Sequence, residues 1–461
     1  MTNENIIIIG CGAGGGTAAQ FARKTDRKKQ VTIFEKGSYP QYSKCGLPYA
    51  ISGIIPTPTH LIEFTEEWFL KAKINLHLKT TITSIDIKNK TITAKDENDE
   101  IIEKEYDSLI IATGSDPSLP PIKNITKNNV LIDGIFTIRT IDDAQKILDY
   151  IPNTRNVTIV GAGLIGLEMA DCLSKKGKKV TVVEALPNIL PMLDDDVSKT
   201  IEEMLLDHIS LFTNFFATEI KTIKDHVSEI IIKNRDTNKE QSISTDLLII
   251  AAGTKPEITL AKQIGCEIGE TGGIKVNNRS ETSIPDVYAV GDCTEYKEYI
   301  TQKPLPIGLG SITVRQGIAA GVNAAGGDYT LPKGALQTFT SDFFNIQIAA
   351  VGPSTSYLES FEMVSGKHNG SSLPEYFPGG KPIMMKTMVD VESGKILSAQ
   401  AVGENAAQRI NSYATAMLGN LTIDEFRKLE TAYAPPVAPT LDVVTITADI
   451  AYMKQQRKKK K

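Results

Sequence analysis

Two stretches of the chain repeat one pattern, and that repetition limits the possible folds more than any other feature. Residues 5–36, NIIIIGCGAGGGTAAQFARKTDRKKQVTIFEK, and residues 156–185, NVTIVGAGLIGLEMADCLSKKGKKVTVVEA, run in the same order. Each gives an apolar strand, a glycine turn, a helix and a second strand closed by an acid. The glycines fall at Gly10, Gly12 and Gly15 in one and at Gly161, Gly163 and Gly166 in the other, with Glu35 and Glu184 about 20 residues further on. A single GxGxxG is a weak sign, but here strand, turn, helix and acid all occur twice. A pyrophosphate has to approach backbone amides at a helix N-terminus, where the dipole favours negative charge and a Cβ would obstruct it. The acid then accepts from a ribose diol. Ala13 and Gly14 in the first turn, Leu164 and Ile165 in the second, and Lys36 beside Glu35 join these residues as candidates for contact with a dinucleotide. Neither copy has lost a glycine or its acid, so the expectation is two bound dinucleotides.

The remaining composition narrows the class further. The 461 residues suggest about three domains, and 41% hydrophobic with 23% charged residues is ordinary for a soluble chain. A net charge of −5 gives no basic field for nucleic acid; the one charge run is the terminal RKKKK from Arg457, read as a solvated tail. No apolar stretch approaches the roughly 20 residues of a membrane span, and MTNENIIIIG enters a strand too early for a signal peptide, so a cytoplasmic location is expected. Cys11, Cys45, Cys172, Cys266 and Cys293 are scattered without CxxC spacing, and the five histidines fall in no ligand spacing. Neither a disulfide scaffold nor a metal site is expected.

Between and after the repeats come two similar strand ends, YDSLIIATGSDP at 106–117 and TDLLIIAAGTKP at 245–256. They read as the points where the chain crosses between the two nucleotide domains, with Ala112, Thr113 and Gly114 in one and Gly253 in the other. IPDVYAVGDC at 284–293 adds a short strand ending in Gly291 and Asp292. From about residue 331 the pattern turns to strands followed by helices with no further fingerprint. The fold class is therefore α/β, with two Rossmann-like domains and a C-terminal α+β domain.

With these motifs in place, the chain resembles the pyridine nucleotide-disulfide oxidoreductase family over nearly its whole length. The resemblance implies a discontinuous FAD domain at 1–118 and 246–330, an inserted NAD(P)H domain at 119–245, a dimerisation domain at 331–453 and a basic tail at 454–461. It places FAD on the first turn with Glu35, lays Ala112–Gly114 against it, sets Asp292 on the ribityl chain and brings Arg139 near the flavin. The nicotinamide cofactor falls to the second turn, where Glu184 and the lack of an arginine in VEALPN favour NADH, with NADPH still open.

The branch of that family turns on YSKCGLPY, residues 42–49. Dithiol members carry CxxxxC, but position 50 is Ala50, and the last histidine, His368, lies far from the C-terminus. The stretch is similar instead to the single-cysteine branch of coenzyme A disulfide reductases, NADH oxidases, NADH peroxidases and persulfide reductases. In that branch Cys45 is the catalytic thiol, and the motifs AYAPP and EYFPGGKP supply Tyr433 and Tyr376, which reach the cysteine of the other subunit in a homodimer. Cys45 precedes an expected helix start at Pro48, and helix-end amides with Lys44 are expected to favour its thiolate. The expected reaction passes electrons from NAD(P)H through FAD to a low-molecular-weight disulfide or persulfide. Oxygen or peroxide reduction is the alternative, and a histidine that supports it elsewhere in the branch is here Ala13. Arg23, Lys24 and Gln41 are the candidate substrate contacts, although the resemblance thins at Gln41 and Lys44. A flavin electron-transfer reductase or redox sensor for a protein partner is the reading from another class.

Overall fold

The computed structural model describes residues 4–460, and its contacts divide the chain into two compact units. One contains the chain up to residue 118, residues 138–149 and residues 253–335; the other contains 119–137, 150–252 and everything from 336 onward. The crossings near 118 and 252 fall where the two similar strand ends lie.

The first unit is built on a parallel sheet in the order Val287–Ala289, Ser108–Ile111, Asn5–Ile9, Gln30–Phe34, Asn75–His77. Its central strands are continuous apolar runs because helices or loops cover both faces, as parallel sheets require. Ile6, Ile7 and Ile8 are at most 1% exposed. An antiparallel sheet of Thr81–Asp86, Thr91–Lys95 and Ile101–Glu105 completes a core containing Ile82, Ile92 and Leu109.

Helix Ala13–Thr25 packs against helix Gly310–Ala324 through small residues. A Cβ on Gly317 would come 2.6 Å from the Gly14 carbonyl oxygen, and one on Gly321 would come 2.2 Å from that of Ala18. The two backbones therefore approach as closely as they do only because glycine stands there. Trp68 belongs to the short helix Glu66–Lys71, whose N-cap Thr65 hydroxyl accepts the Trp68 amide, and its ring lies against Phe64 and Phe69.

The second unit is built on two five-stranded sheets, with a three-stranded antiparallel sheet at 215–244 and a two-stranded one at 126–131 beside them. Its parallel sheet, Ile135–Thr137, Leu247–Ile250, Asn156–Val160, Lys179–Val183, Ser210–Phe212, repeats the order of the first, and the registers Asn5 to Gln30 and Asn156 to Lys179 correspond. The C-terminal sheet is antiparallel, Phe339–Phe343, Ile346–Val351, Ile396–Gly403, Pro382–Asp390, Met363–Ser371, backed by helices Ala406–Leu418 and Val443–Lys459. The buried pair Arg409 to Asp442, with Nη2 to Oδ2 at 2.8 Å, ties those helices together.

Two boundaries differ from the sequence expectation. Residues 138–149, expected in the nicotinamide segment, cluster with the first unit, because the Arg139 side chain is bonded to Ser115 there. Arg457, Lys458 and Lys459 form the last turn of the final helix instead of a separate tail, and Lys458 pairs with Glu362 at 3.0 Å. Cations at a helix C-terminus complement its dipole, which explains why the run stays helical. Among the described residues no helix is long and apolar enough to cross a membrane.

The helix contact yields a stability prediction. In an open helix Gly→Ala stabilises by about 1 kcal/mol, whereas a methyl forced into a closed contact costs about 1–3 kcal/mol. Gly321→Ala is therefore expected to lower the denaturant midpoint of the purified protein. A raised midpoint would show that the helices are free to separate.

Candidate functional site

The two glycine turns have matching geometry. The Gly10 amide donates to the Phe34 carbonyl and the Gly161 amide to the Val183 carbonyl, both at 2.8 Å, which fixes each turn to the neighbouring strand. Gly10 and Gly161 have φ of +99° and +109°, the left-handed region. A Cβ at Gly15 or Gly166 would lie 2.0 Å from the carbonyl oxygen of Gly10 or Gly161. At Gly12 and Gly163 the position is different: no protein atom lies within 4 Å of where a Cβ would stand. Those two glycines are the N-caps of helices Ala13–Thr25 and Leu164–Lys175, and neither cap offers a side-chain acceptor. Each turn thus presents helix amides to an open cradle, and that fits a pyrophosphate.

The acids close the turns. Glu35 accepts the Cys11 and Gly37 amides, each at 2.7 Å. Glu184 accepts the Ala162 amide at 2.7 Å and the Leu186 amide at 2.8 Å. Glu184 is buried and Glu35 partly open. Each carboxylate keeps lone pairs beyond those two bonds, which a ribose diol can use.

In the first unit three distant segments meet near the strand ends. The Arg139 guanidinium donates to the Ser115 hydroxyl at 2.7 Å, to its carbonyl at 3.1 Å and to Asp292. The Ser115 hydroxyl donates to Asp292 at 3.1 Å. Thr113 donates to the Glu257 carbonyl at 2.6 Å, and Gly114 takes φ +74°. The buried Gln316 side chain, absent from the residues expected on sequence grounds, accepts the Gly291 amide at 2.8 Å and orients the turn that presents Asp292. Nothing in the sequence near Gln316 marks it, since its function is to satisfy a buried backbone group.

Cys45 lies on the turn Lys44–Gly46, immediately before the short helix Leu47–Ser52, with Pro48 in its first turn. It is the one exposed cysteine of the five. Burial pushes the other thiols up, Cys293 to about 11 and Cys172 to about 12, with Cys11 and Cys266 also raised. They stay protonated at neutral pH, so their thiolate chemistry is suppressed. Lys44 reaches the surface but is set among protein atoms; that desolvation lowers its ammonium below the usual lysine value. Repulsion from Arg139 lowers it further, against the attraction of Glu35 and Asp292.

The candidate substrate residues are placed differently from expectation. Gln41 is 4% exposed, and its side chain packs against Gly16 of the first helix. Arg23 donates to the carbonyls of Arg27 and Lys29 at 2.9 and 2.6 Å, closing the turn after its own helix. Lys24 is exposed and lies over the Phe21 ring at 4.4 Å.

In the second unit Tyr376 and Tyr433, 57 residues apart, share a hydrogen bond of 2.8 Å between their hydroxyls. Both are exposed, at 71% and 47%, and Val437 and Leu441 beside AYAPP are exposed as well. The bond to Tyr433 raises the Tyr376 phenol above its ordinary value. Gly253, with φ +93°, accepts the Ser118 amide at 2.9 Å where the chain crosses in the first unit.

Comparison with known proteins agrees with this architecture. The family model described as pyridine nucleotide-disulphide oxidoreductase matches residues 4–320, and the dimerisation domain of the same family matches 339–443. An NADH oxidase of Methanocaldococcus jannaschii is 34% identical over 98% of this chain and 99% of its own. A CoA-dependent NAD(P)H sulfur oxidoreductase of Pyrococcus abyssi is 34% identical over 97% of this chain and 98% of its own. The solved structure of an NAD-dependent persulfide reductase from A. fulgidus is 30% identical, with a TM-score of 0.92, over 98% of this chain and 84% of that one. The chain therefore belongs to the pyridine nucleotide-disulphide oxidoreductases, enzymes that work with FAD and NAD(P)H.

Proposed function

We propose that this oxidoreductase is a cytoplasmic homodimer that reduces a low-molecular-weight disulfide or persulfide, of the coenzyme A type, through Cys45. The observation that carries the reading is the single exposed cysteine on a turn in the unit that also contains Glu35, Arg139 and Asp292, while the other four thiols are buried. The first glycine turn with Glu35 would hold FAD, and Ala112–Gly114 with Asp292 and Arg139 would lie along it. The second turn with Glu184 would hold the nicotinamide nucleotide, and an acid at that place favours NADH over NADPH.

The sulfur chemistry is set by the chain's own residues. The Cys45 thiolate attacks one sulfur of the substrate RS–SR; that S–S bond breaks, Cys45–S–SR forms and RS⁻ departs. The departing thiolate takes a proton from the tyrosine pair of a second copy, giving RSH. Tyr433 is the donor, and Tyr376 bonds to the phenolate left behind. The two electrons that release the second RSH and restore the Cys45 thiolate would come from NAD(P)H through FAD held at the first turn with Glu35. The sum is NAD(P)H, H⁺ and RSSR giving NAD(P)⁺ and two RSH. The missing partner cysteine is replaced by the substrate's own sulfur.

Oxygen reduction is the second reading, favoured by the similarity to the Methanocaldococcus NADH oxidase. One assay series separates the readings: NADH oxidation with coenzyme A disulfide, polysulfide, peroxide or oxygen, for wild type and Cys45→Ser. Disulfide turnover should fall by at least roughly 100-fold in the variant, since serine forms no mixed disulfide, while reduction of bound flavin by NADH continues. Undiminished disulfide turnover in Cys45→Ser would mean that the thiol mechanism is wrong. Intact mass of the resting protein, with and without reductant, then identifies the thiol carried on Cys45.

The cofactor assignment has its own check. At Gly12 and Gly163 a methyl meets no protein atom, so the fold should tolerate it while the cradle is filled. Gly12→Ala is expected to purify with less FAD. Gly163→Ala should keep its flavin and bind NADH about tenfold more weakly. The opposite pattern would exchange the two assignments.

A further inference from the structure

The segment after Glu184 does not enter its helix directly. It folds back over the glycine turn first, and both of its ends are held. Near the start, the Leu190 amide donates to the Ala162 carbonyl at 3.0 Å, while Ala162 gives its own amide to Glu184. Leu190 is fully buried and has φ +48°, a left-handed conformation that a leucine keeps only when its surroundings hold it there. The adjoining Ile189 gives its amide to the Glu202 carboxylate at 3.0 Å and accepts the Ser198 hydroxyl at 2.8 Å. The far end is held by the C-terminal sheet.

Asp194 is the N-cap of helix Asp195–Leu205, a place where an aspartate ordinarily accepts from its own helix. It makes no such bond. Its carboxylate accepts the Thr355 amide at 2.7 Å and pairs with Lys386 at 2.7 Å, and its amide donates to the Gln400 side chain at 3.0 Å. Lys386 also reaches Asp196 at 2.6 Å, and Lys367 meets the other oxygen of Asp196 at 2.8 Å. Lys386, Gln400, Thr355 and Lys367 all belong to the C-terminal part of this unit. Burial opposes the Lys386 charge, but hydrogen bonds to Asp194 and Asp196 raise its value above that of an ordinary lysine.

We infer that Lys386 is a positioning residue for the nicotinamide nucleotide: with Asp194 and Asp196 it clamps segment 185–194, whose Leu190 amide holds the carbonyl of the second glycine turn. The inference rests on the proposed function, in which this turn holds that nucleotide. Without the Lys386 charge, two carboxylates remain side by side, one of them buried, and removal of one partner from such a pair is strongly unfavourable. The relief available is movement of segment 185–194, which withdraws Leu190 from Ala162 and loosens the cradle. The C-terminal sheet would then act on nucleotide affinity without touching the nucleotide.

The test uses the FAD-loaded full chain, with NADH binding measured by calorimetry and steady-state kinetics run in parallel. Lys386→Gln is expected to raise the Kd and KM for NADH by about 5- to 20-fold, with kcat at saturating NADH and flavin content unchanged. Lys386→Arg, which keeps the charge, should stay within about twofold of wild type. A merely structural role would shift melting temperature without this split between KM and kcat. If Lys386→Gln binds NADH as wild type does, the inference is overturned. Should that variant fail to fold, Lys367→Met removes the outer, partly exposed half of the clamp. It is expected to weaken NADH by about two- to fivefold, and an unchanged Kd overturns the inference equally. Glu184→Gln serves as the control for the premise. If it leaves NADH affinity intact, the cofactor reading fails and takes the inference with it; if it weakens NADH while Lys386→Gln does not, the inference alone fails.

Discussion

Each nucleotide-binding half of this chain depends on one carboxylate that accepts two backbone amides. Glu35 and Glu184 end the second strand of their repeats, and each takes one amide from the glycine turn and one from the residue two positions further on. A buried amide without an acceptor is costly, so the acid determines the shape of the turn as well as offering an edge to a ribose. With the turn fixed, the next helix has its first amides aimed into a space that only a glycine leaves open. The strand ends, the cradle and the helix dipole all take their positions from that local closure.

Beyond the acid the two repeats diverge. After Glu35 the chain passes through Gln41, buried against the first helix, and then exposes Cys45 on a short turn. After Glu184 the corresponding segment stays buried at Ile189 and Leu190 and is held by the C-terminal sheet through Asp194 and Lys386. One copy of the pattern uses that segment to expose a thiol, and the other ties it to the C-terminal sheet. The same supersecondary unit supports both because its stability comes from the sheet and the glycine turn, which leaves the loop after the acid free to vary.

The legible part of the sequence was the local part. The turn at Gly10, Gly12 and Gly15 and its copy are contiguous in sequence, and their chemistry is dictated by backbone clearance, so they could be read without a structure. Cys45 stood out for a similar reason, since neither Ala50 nor any nearby residue supplies a second thiol. The encounter of Arg139 with Asp292 spans 153 positions and was not anticipated; family resemblance only set each of them near the flavin. Gln316 and Lys386 were invisible, because a side chain that satisfies a buried amide or a buried carboxylate has no pattern of its own along the chain. Gln41 and Arg23 carry structural duties that the sequence did not show: Gln41 packs against the first helix and Arg23 closes the turn after its own helix.

The tyrosine pair shows how far a static geometry carries the chemistry. Two exposed phenols sharing one hydrogen bond cannot both donate to each other, so one hydroxyl hydrogen is always directed elsewhere. With Tyr376 donating to Tyr433, the Tyr433 oxygen is stabilised as it loses its proton, while its own hydrogen points outward toward a leaving thiolate. With the roles reversed, the outward donor is Tyr376 and Tyr433 supports it in the same way. Under the proposed function, the first arrangement is the one that would make Tyr433 the proton source and Tyr376 its support. Both residues, like the exposed Val437 and Leu441, lie within the matched dimerisation domain, so the proposed proton donor belongs to the segment that the family uses for dimerisation. Coupling proton delivery to assembly in this way would keep an isolated subunit from completing a turnover.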